Sequence, residues 1–227
     1  MTAAEIFRGI VAQVILTLVF IALLFGPAGT LAWPPGWAFL ILFAVCSQAM
    51  GIWLLRTDPE LLKRRMTSPL GGGQTARDRG IAIAIFALVA LWFAFMGFDG
   101  GRLHSSPTPF WGKSLGVALI VAAFWGWVRV LAANHYAAVT IGVVPGQTVA
   151  TGGPYAVVRH PMYAYVFLLL IGAPLLTGSL WAMLFVIPAG ALMAARALGE
   201  EALLMRDLPG YPEYAAKVRW RLIPGIW

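Results

Sequence analysis

Charge is scarce in this sequence, because only 11% of its 227 residues are Asp, Glu, Lys or Arg. An ordinary soluble domain carries roughly 25% charged residues. Hydrophobic residues make up 60% of the chain, and its mean hydropathy is +0.82. Few soluble folds could bury so much apolar surface. The composition therefore argues against a soluble enzyme and excludes a disordered protein.

Cysteine and histidine are also scarce. The single cysteine, Cys46, lies inside an apolar run, which excludes a disulfide scaffold. With three scattered histidines it gives no zinc-like spacing, so no metal site is predicted. Ser105 and Ser106 have no nearby acid–base partner in the sequence, and no G-x-G-x-x-G follows a strand. Neither a hydrolase triad nor a Rossmann cofactor domain is therefore supported.

The charges that are present are mainly basic: 16 Lys and Arg stand against 9 Asp and Glu, giving +7. In an apolar chain, this excess indicates basic cytoplasmic loops facing anionic lipid, and no nucleic-acid partner is expected. The 56–79 loop holds six Lys and Arg, whereas the 99–113 loop holds two. We therefore expect the 56–79 loop, the 134–160 segment and both termini to be cytoplasmic.

Long charge-free stretches indicate where the chain crosses the membrane, because a spanning helix needs about 20 mostly apolar residues. We predict an all-α polytopic integral membrane protein with five or six spans. The last charge-free stretch is short for two full spans, so it is interpreted as a hairpin of two short or tilted helices. The predicted spans are 9–31, 36–55, 80–98, 111–133, 162–177 and 179–198.

A short helix is predicted in the basic loop between the second and third spans. Asp58, Pro59 and Glu60 have the order of an N-cap, a first-turn proline and a first-turn acid. Residues 61–66 continue as a basic amphipathic segment. The pattern predicts a helix lying on the membrane surface, with a purely structural role.

Three polar clusters in the second half of the chain are the candidate functional residues. The first, 153–163, combines a glycine-rich turn with Arg159 and His160 at the start of a helix. The second, 196–201, ends in two adjacent acids, which are costly beside a membrane unless solvated or paired. The third is 211–221. Purely structural roles for these residues remain open: a snorkelling arginine, a solvated acidic helix face and tyrosines at the membrane interface.

The ordered combination of these clusters resembles the isoprenylcysteine carboxyl methyltransferase family and the wider group of membrane phospholipid methyltransferases. The resemblance covers roughly residues 129–227. We expect residues 1–227 to form a single membrane domain, with 1–128 as N-terminal spans and 129–227 as a methyltransferase-like catalytic region. The motifs are Gly153-Pro154-Tyr155, Arg159-His160-Pro161-Met162-Tyr163, Arg196 with Glu200-Glu201, and Tyr214 with Arg219 and Arg221-Leu222-Ile223-Pro224.

The resemblance implies an S-adenosylmethionine-dependent methyltransferase with a cytoplasmic C-terminal cofactor pocket and a lipophilic acceptor reached from the bilayer. Sequence does not rank the arginines that could orient the acceptor. The implied catalytic residues are Arg159, Arg196 and Arg219. The implied cofactor-binding residues are Gly153, Tyr155, His160, Tyr163, Glu200, Glu201 and Tyr214.

The resemblance does not specify the chemical class of the methyl acceptor: an isoprenoid-type carboxylate, a thiol or a lipid amine would each suit the reaction. The compact chain is typical of a bacterial inner-membrane protein, with membrane lipids as its other partners. Two alternatives compete, an NADPH-dependent membrane reductase of the sterol-reductase type and a non-enzymatic membrane scaffold. The sequence leaves the oligomeric state undetermined.

Overall fold

The computed structural model describes residues 3–66, 74–138 and 142–227, and over these residues the fold is helical without strands. Five helices are long and apolar enough to cross a membrane. The protein is therefore an all-α polytopic membrane protein. The α-helices are α1 (Ala3–Ala28), α2 (Pro34–Thr57), α3 (Pro59–Arg65), α4 (Ala76–Met96), α5 (Phe110–Ala133), α6 (Pro161–Thr177), α7 (Val186–Asp207) and α8 (Tyr211–Lys217).

The spans agree with the predicted ones except in the last hairpin. Helix α6 is short, as expected, at 17 residues. A 3₁₀ turn over Leu180–Phe185 leads directly into α7, so the apolar helical run extends over Leu180–Asp207. It passes the position at which the charge-free stretch ends, because Arg196, Glu200 and Glu201 find partners inside the protein.

Helices α5 and α6 form a close pair because glycines remove side chains between them. An ideal Cβ on Gly116 would lie 2.6 Å from the Gly172 carbonyl oxygen, and one on Gly172 would lie 2.8 Å from the Gly116 carbonyl oxygen. Small residues that allow backbones to approach are typical of helix contacts in membranes. This pair carries the start of α6, where the polar clusters meet.

Aromatic rings fill the space between the N-terminal helices. The Phe20 ring of α1 stacks on Phe93 of α4, with ring centroids 4.6 Å apart. Phe39 of α2 contacts the same Phe93 ring, and Phe43 meets Phe124 of α5 edge to face. These contacts join four helices into one core, against which α6 and α7 also pack.

A buried carboxylate ties the helix ends on the side away from the polar clusters. Asp99 lies in a π-helical turn, Gly97–Leu103, which continues α4, and it is 2% exposed. Its oxygens accept hydrogen bonds from Ser105, from Ser106 at 3.1 Å and from Ser179, just beyond α6, at 2.7 Å. The carboxylate thus fixes the connection between α6 and α7.

The surface helix α3 forms where the sequence predicts it. The Asp58 carboxylate accepts a hydrogen bond from the Leu61 amide at 2.9 Å and so caps the helix. Leu61 is 1% exposed and packs with Leu54 and Leu131 of the neighbouring helices. Helix α3 is therefore fastened to the bundle.

Candidate active site

Backbone pairing places the first polar cluster against the C-terminal segment. The Arg159 amide donates to the Trp220 carbonyl and the His160 amide donates to the Arg221 carbonyl, each at 2.9 Å. His160 is the residue before α6, and Pro161 is the first helical residue, where a missing N–H costs nothing. These bonds bring together two segments that are far apart in the sequence.

Glu201 of α7 is the centre of a buried ionic cluster. Its Oε1 lies 2.8 Å from Arg159 Nε and 3.1 Å from His160 Nε2, and its Oε2 accepts a hydrogen bond from Arg221 Nε at 2.9 Å. The Arg159 N–H does not point at the oxygen, so that contact is an ion pair without a hydrogen bond. The three partners together compensate the cost of burying the Glu201 charge.

Glu200 faces a different set of groups. Its Oε2 accepts a hydrogen bond from the Tyr163 hydroxyl at 2.8 Å and lies 3.7 Å from His160 Nδ1. The same hydroxyl accepts from Arg196 Nε at 3.0 Å, and the Tyr163 ring stacks on the His160 ring. Tyr163 thus connects an acid and an arginine of α7 through one oxygen.

The polar cavity is the cleft between the start of α6, the end of α7 and α8. Arg159, His160, Tyr163 and Glu200 line it, together with four further tyrosines. Glu201 lies behind this lining, beneath Arg159 and His160. The four further tyrosines are Tyr136, Tyr155, Tyr211 and Tyr214.

Tyr155, Tyr211 and Tyr214 remain neutral hydroxyls at ordinary pH. Burial raises the pKa of Tyr155 to about 12, although Asn134 Nδ2 donates to its hydroxyl at 3.0 Å. Burial also raises the pKa of Tyr211 and of Tyr214. The Tyr214 hydroxyl donates to the Tyr155 carbonyl at 2.8 Å. The cavity therefore offers aromatic faces and hydroxyl donors beside the Glu200 carboxylate, the one carboxylate among the described residues that line it.

The buried Tyr211 hydroxyl has no hydrogen-bond partner among the residues that the structure describes. An unpaired buried hydroxyl is unfavourable by about 1–3 kcal/mol. Tyr211 is one of the residues that line the polar cavity. The resemblance implies S-adenosylmethionine as the ligand, whose ammonium and ribose hydroxyls bind carboxylates and whose sulfonium favours aromatic faces.

An apolar groove of about 430 Å³ lies next to the polar cavity. Phe43, Phe124, Trp127 and Val166 are among the residues lining it, and Arg65 and Arg196 lie at its polar part. Ala138, Met162 and Tyr163 line both the groove and the polar cavity. The two spaces therefore adjoin at Tyr163.

The comparison with known protein families identifies the part of the chain that contains much of this cavity and groove. Residues 111–208 match the model of the phospholipid methyltransferase family. The chain carries a phospholipid methyltransferase domain. This confirms the family group that the motifs resemble. No curated protein matches the chain.

The structure brings together eight of the ten predicted site residues, seven of them within residues 111–208 and Tyr214 beyond that match. Glu201 lies behind the cavity, whereas the others face it or the groove. These eight residues are Tyr155, Arg159, His160, Tyr163, Arg196, Glu200, Glu201 and Tyr214.

Two predicted site residues lie apart from the polar cavity. Arg219 is exposed, and its guanidinium lies over the Trp220 ring, 4.3 Å from the ring centroid. Gly153 is an exposed residue with φ +57° at the start of a 3₁₀ turn, where its freedom shapes the approach to Tyr155. Arg221, and not Arg219, is the arginine of the C-terminal segment that contacts Glu201.

Residues that the sequence patterns missed complete the candidate site. Asn134 fixes the Tyr155 hydroxyl, and no spacing pattern could have indicated it. Arg65 lines the groove although it belongs to the surface helix. A signal for Arg65 did exist, since Leu61 and Arg65 are four residues apart and share a helix face. Buried Leu61 therefore directs Arg65 toward the bundle.

Proposed function

We propose that this protein transfers a methyl group from S-adenosylmethionine to a lipophilic acceptor that reaches the site from the bilayer. The observation that carries the proposal is the junction at Tyr163, where the polar cavity and the apolar groove meet. A cofactor in the first space and a lipid in the second would have their reacting groups side by side. Such positioning supplies much of the rate enhancement of a two-substrate reaction.

The polar cavity would hold the cofactor through residues already placed there. Glu200 would bind the ammonium or ribose hydroxyls, and His160 would meet the polar end of the ligand. Tyr155, Tyr211 and Tyr214 would contact the adenine and the sulfonium. The bound cofactor would supply an activated methyl group, and the protein has only to align the two reactants and exclude water.

Glu201 is better suited to positioning than to binding the cofactor. Its oxygens contact Arg159, His160 and Arg221, and it lies behind the cavity lining. We propose that it orients His160 and anchors the C-terminal segment. Glu200 is then the acid that the ligand meets.

Arg196 is the arginine best placed to orient the acceptor. It lines the apolar groove and donates to Tyr163 at the junction. Arg159 lines the polar cavity, and its guanidinium is held by Glu201 and by the Ala215 carbonyl. Arg219 lies outside both spaces. If the acceptor is a carboxylate, no general base is needed; for an amine or a thiol, Glu200 is the nearest candidate base.

The side of the membrane follows from the basic loops. We propose that the polar cavity and α3 face the cytoplasm of a bacterial inner membrane, where S-adenosylmethionine would be available. Lys63, the exposed basic residue of α3, would lie toward anionic lipid there.

The test is calorimetric titration of the detergent-purified protein with S-adenosylmethionine, S-adenosylhomocysteine and NADPH. We expect saturable binding of the first two and none of NADPH. Glu200→Gln should weaken binding of S-adenosylmethionine about tenfold or more, because it removes a charge-assisted hydrogen bond. Lys217→Ala, which removes an exposed charge on α8, is the matched control. Binding of NADPH alone would replace the proposal with a reductase.

A further inference from the structure

Helix α3 reaches the apolar groove from outside the methyltransferase domain. Its last residue, Arg65, precedes the family match by more than forty positions, yet its side chain lines the groove. The Arg65 guanidinium donates from Nη1 to the Ala137 carbonyl at 2.9 Å. A guanidinium has five N–H donors in a fixed fork, so one such bond leaves capacity for a ligand.

Three separate contacts fasten the end of α2 and α3 to residues 134–138. Besides the bond from Arg65 to Ala137, the Asp58 carboxylate lies 2.7 Å from His135 Nδ1. Arg64 lies over the Tyr136 ring, 5.6 Å from its centroid. The segment held in this way lines the polar cavity, and its last residue, Ala138, also lines the groove. Arg65 is therefore held at a fixed place near the junction of the two spaces.

The charge of the groove has one sign. Among the described residues that line it, Arg65 and Arg196 are the charged ones, and no Asp or Glu is present. The other lining residues are mostly apolar and aromatic. An arginine in such surroundings loses hydration, and burial accordingly lowers the pKa of Arg65 from its ordinary value. An anion beside it would restore the lost stabilisation.

We propose that Arg65 is a specificity-determining residue, which together with Arg196 binds the negatively charged head group of the lipophilic acceptor. The acceptor's chain would lie along Phe43, Phe124 and Trp127 in the groove. A lipophile whose only charge is positive would be repelled by the two arginines in the groove, and it is excluded for that reason. The inference rests on the proposed function, because it describes the second substrate of the same reaction.

Trp127 provides a direct probe of this site, because it lines the groove and is fixed by a hydrogen bond to the Met162 carbonyl. Quenching of tryptophan fluorescence is measured with 11-bromoundecanoic acid, its methyl ester and 11-bromoundecylamine in the same detergent. At about pH 9 the acid is an anion and the amine remains a cation. Subtracting the signal of Trp127→Phe isolates quenching in the groove. We expect the acid to quench Trp127 at least tenfold more effectively than the ester or the amine.

The variants test Arg65 itself. Arg65→Gln should raise the quenching midpoint of the acid about tenfold or more, since it removes a hydrogen-bonded charge, whereas Arg65→Lys should have a smaller effect. Arg56→Gln removes an exposed positive charge nearby, at the end of α2, and should leave the midpoint unchanged. Equal quenching by the acid and the amine in the unmodified protein would overturn the proposal, and that comparison needs no variant.

Two further results separate this inference from the proposed function. Selective binding of the acid without any calorimetric binding of S-adenosylmethionine would preserve the anion site and reject the methyltransferase function. Binding of S-adenosylmethionine with an unchanged acid midpoint in Arg65→Gln would preserve the function and reject the role of Arg65.

Discussion

Replacing Glu201 with glutamine should destabilise the protein more than any other single change in the polar clusters. The side chains of Glu201, Arg159 and His160 are 6%, 7% and 4% exposed. Glutamine keeps the size of glutamate but presents an NH₂ group to one side of the cluster. Either the Arg159 and His160 side or the Arg221 side then loses its acceptor, and the guanidinium groups of Arg159 and Arg221 lose the compensating charge.

The magnitude follows from these contacts. Removing one partner of a buried ion pair costs about 3–5 kcal/mol. Arg221 is 31% exposed, so water screens its share, and the lower end of that range, about 3 kcal/mol, applies. For a chain of this length, each kcal/mol shifts the melting temperature by about 2–4 °C. We therefore expect Glu201→Gln to melt about 6–12 °C below the unmodified protein.

The assay is thermal unfolding in detergent, followed by tryptophan fluorescence. Glu200→Gln is the matched control, because Glu200 is adjacent and its side chain is 31% exposed. That variant should lose less than half as much in melting temperature. If Glu201→Gln melts within about 2 °C of the unmodified protein, or if Glu200→Gln melts lower, the ionic cluster is not what holds the C-terminal segment.

Three other substitutions test separate parts of the fold. Gly116→Ala should lower the free energy of unfolding by about 1–3 kcal/mol, because its Cβ would lie 2.6 Å from the Gly172 carbonyl oxygen. Gly51→Ala is the control: its Cβ meets no atom within 4 Å, so thermal unfolding should show no change. Asp99→Asn should lower the free energy of unfolding by about 1–3 kcal/mol in the same assay, because the serines lose one acceptor oxygen. The calorimetric affinity of this variant for S-adenosylmethionine should be unchanged. Tyr163→Phe should lower transfer of labelled methyl groups into a membrane lipid extract about tenfold or more, with a smaller change in cofactor affinity.

Composition was sufficient to predict most of the architecture. Spans of about 20 apolar residues reflect the thickness of a bilayer, which is a constraint that sequence displays directly. The length of α7 escaped this reasoning, because Arg196 and Glu201 interrupt the apolar run although both have partners inside the protein. A charged residue in the sequence therefore does not by itself indicate the end of a membrane helix when that charge is paired within the protein.

The site was predictable as a set of motifs but not as a set of roles. Glu200 and Glu201 are adjacent in sequence, yet one lines the cavity and the other lies behind it. Arg219 and Arg221 are two residues apart, and only Arg221 reaches Glu201. These differences depend on how the C-terminal segment folds back onto residues 159 and 160, which is a long-range pairing that no local pattern encodes.

The return of the C-terminal segment has a consequence for the order in which the protein matures during synthesis. The carbonyl of Arg221 that receives the His160 amide is made about 60 residues after His160. At about 5–20 residues per second, a ribosome needs roughly 3–12 seconds to cover that distance. The helical spans can enter the membrane during this interval, while Arg159 and His160 still lack their backbone acceptors. A nascent chain arrested before Trp220 would therefore be inserted in the membrane with its polar cavity unformed.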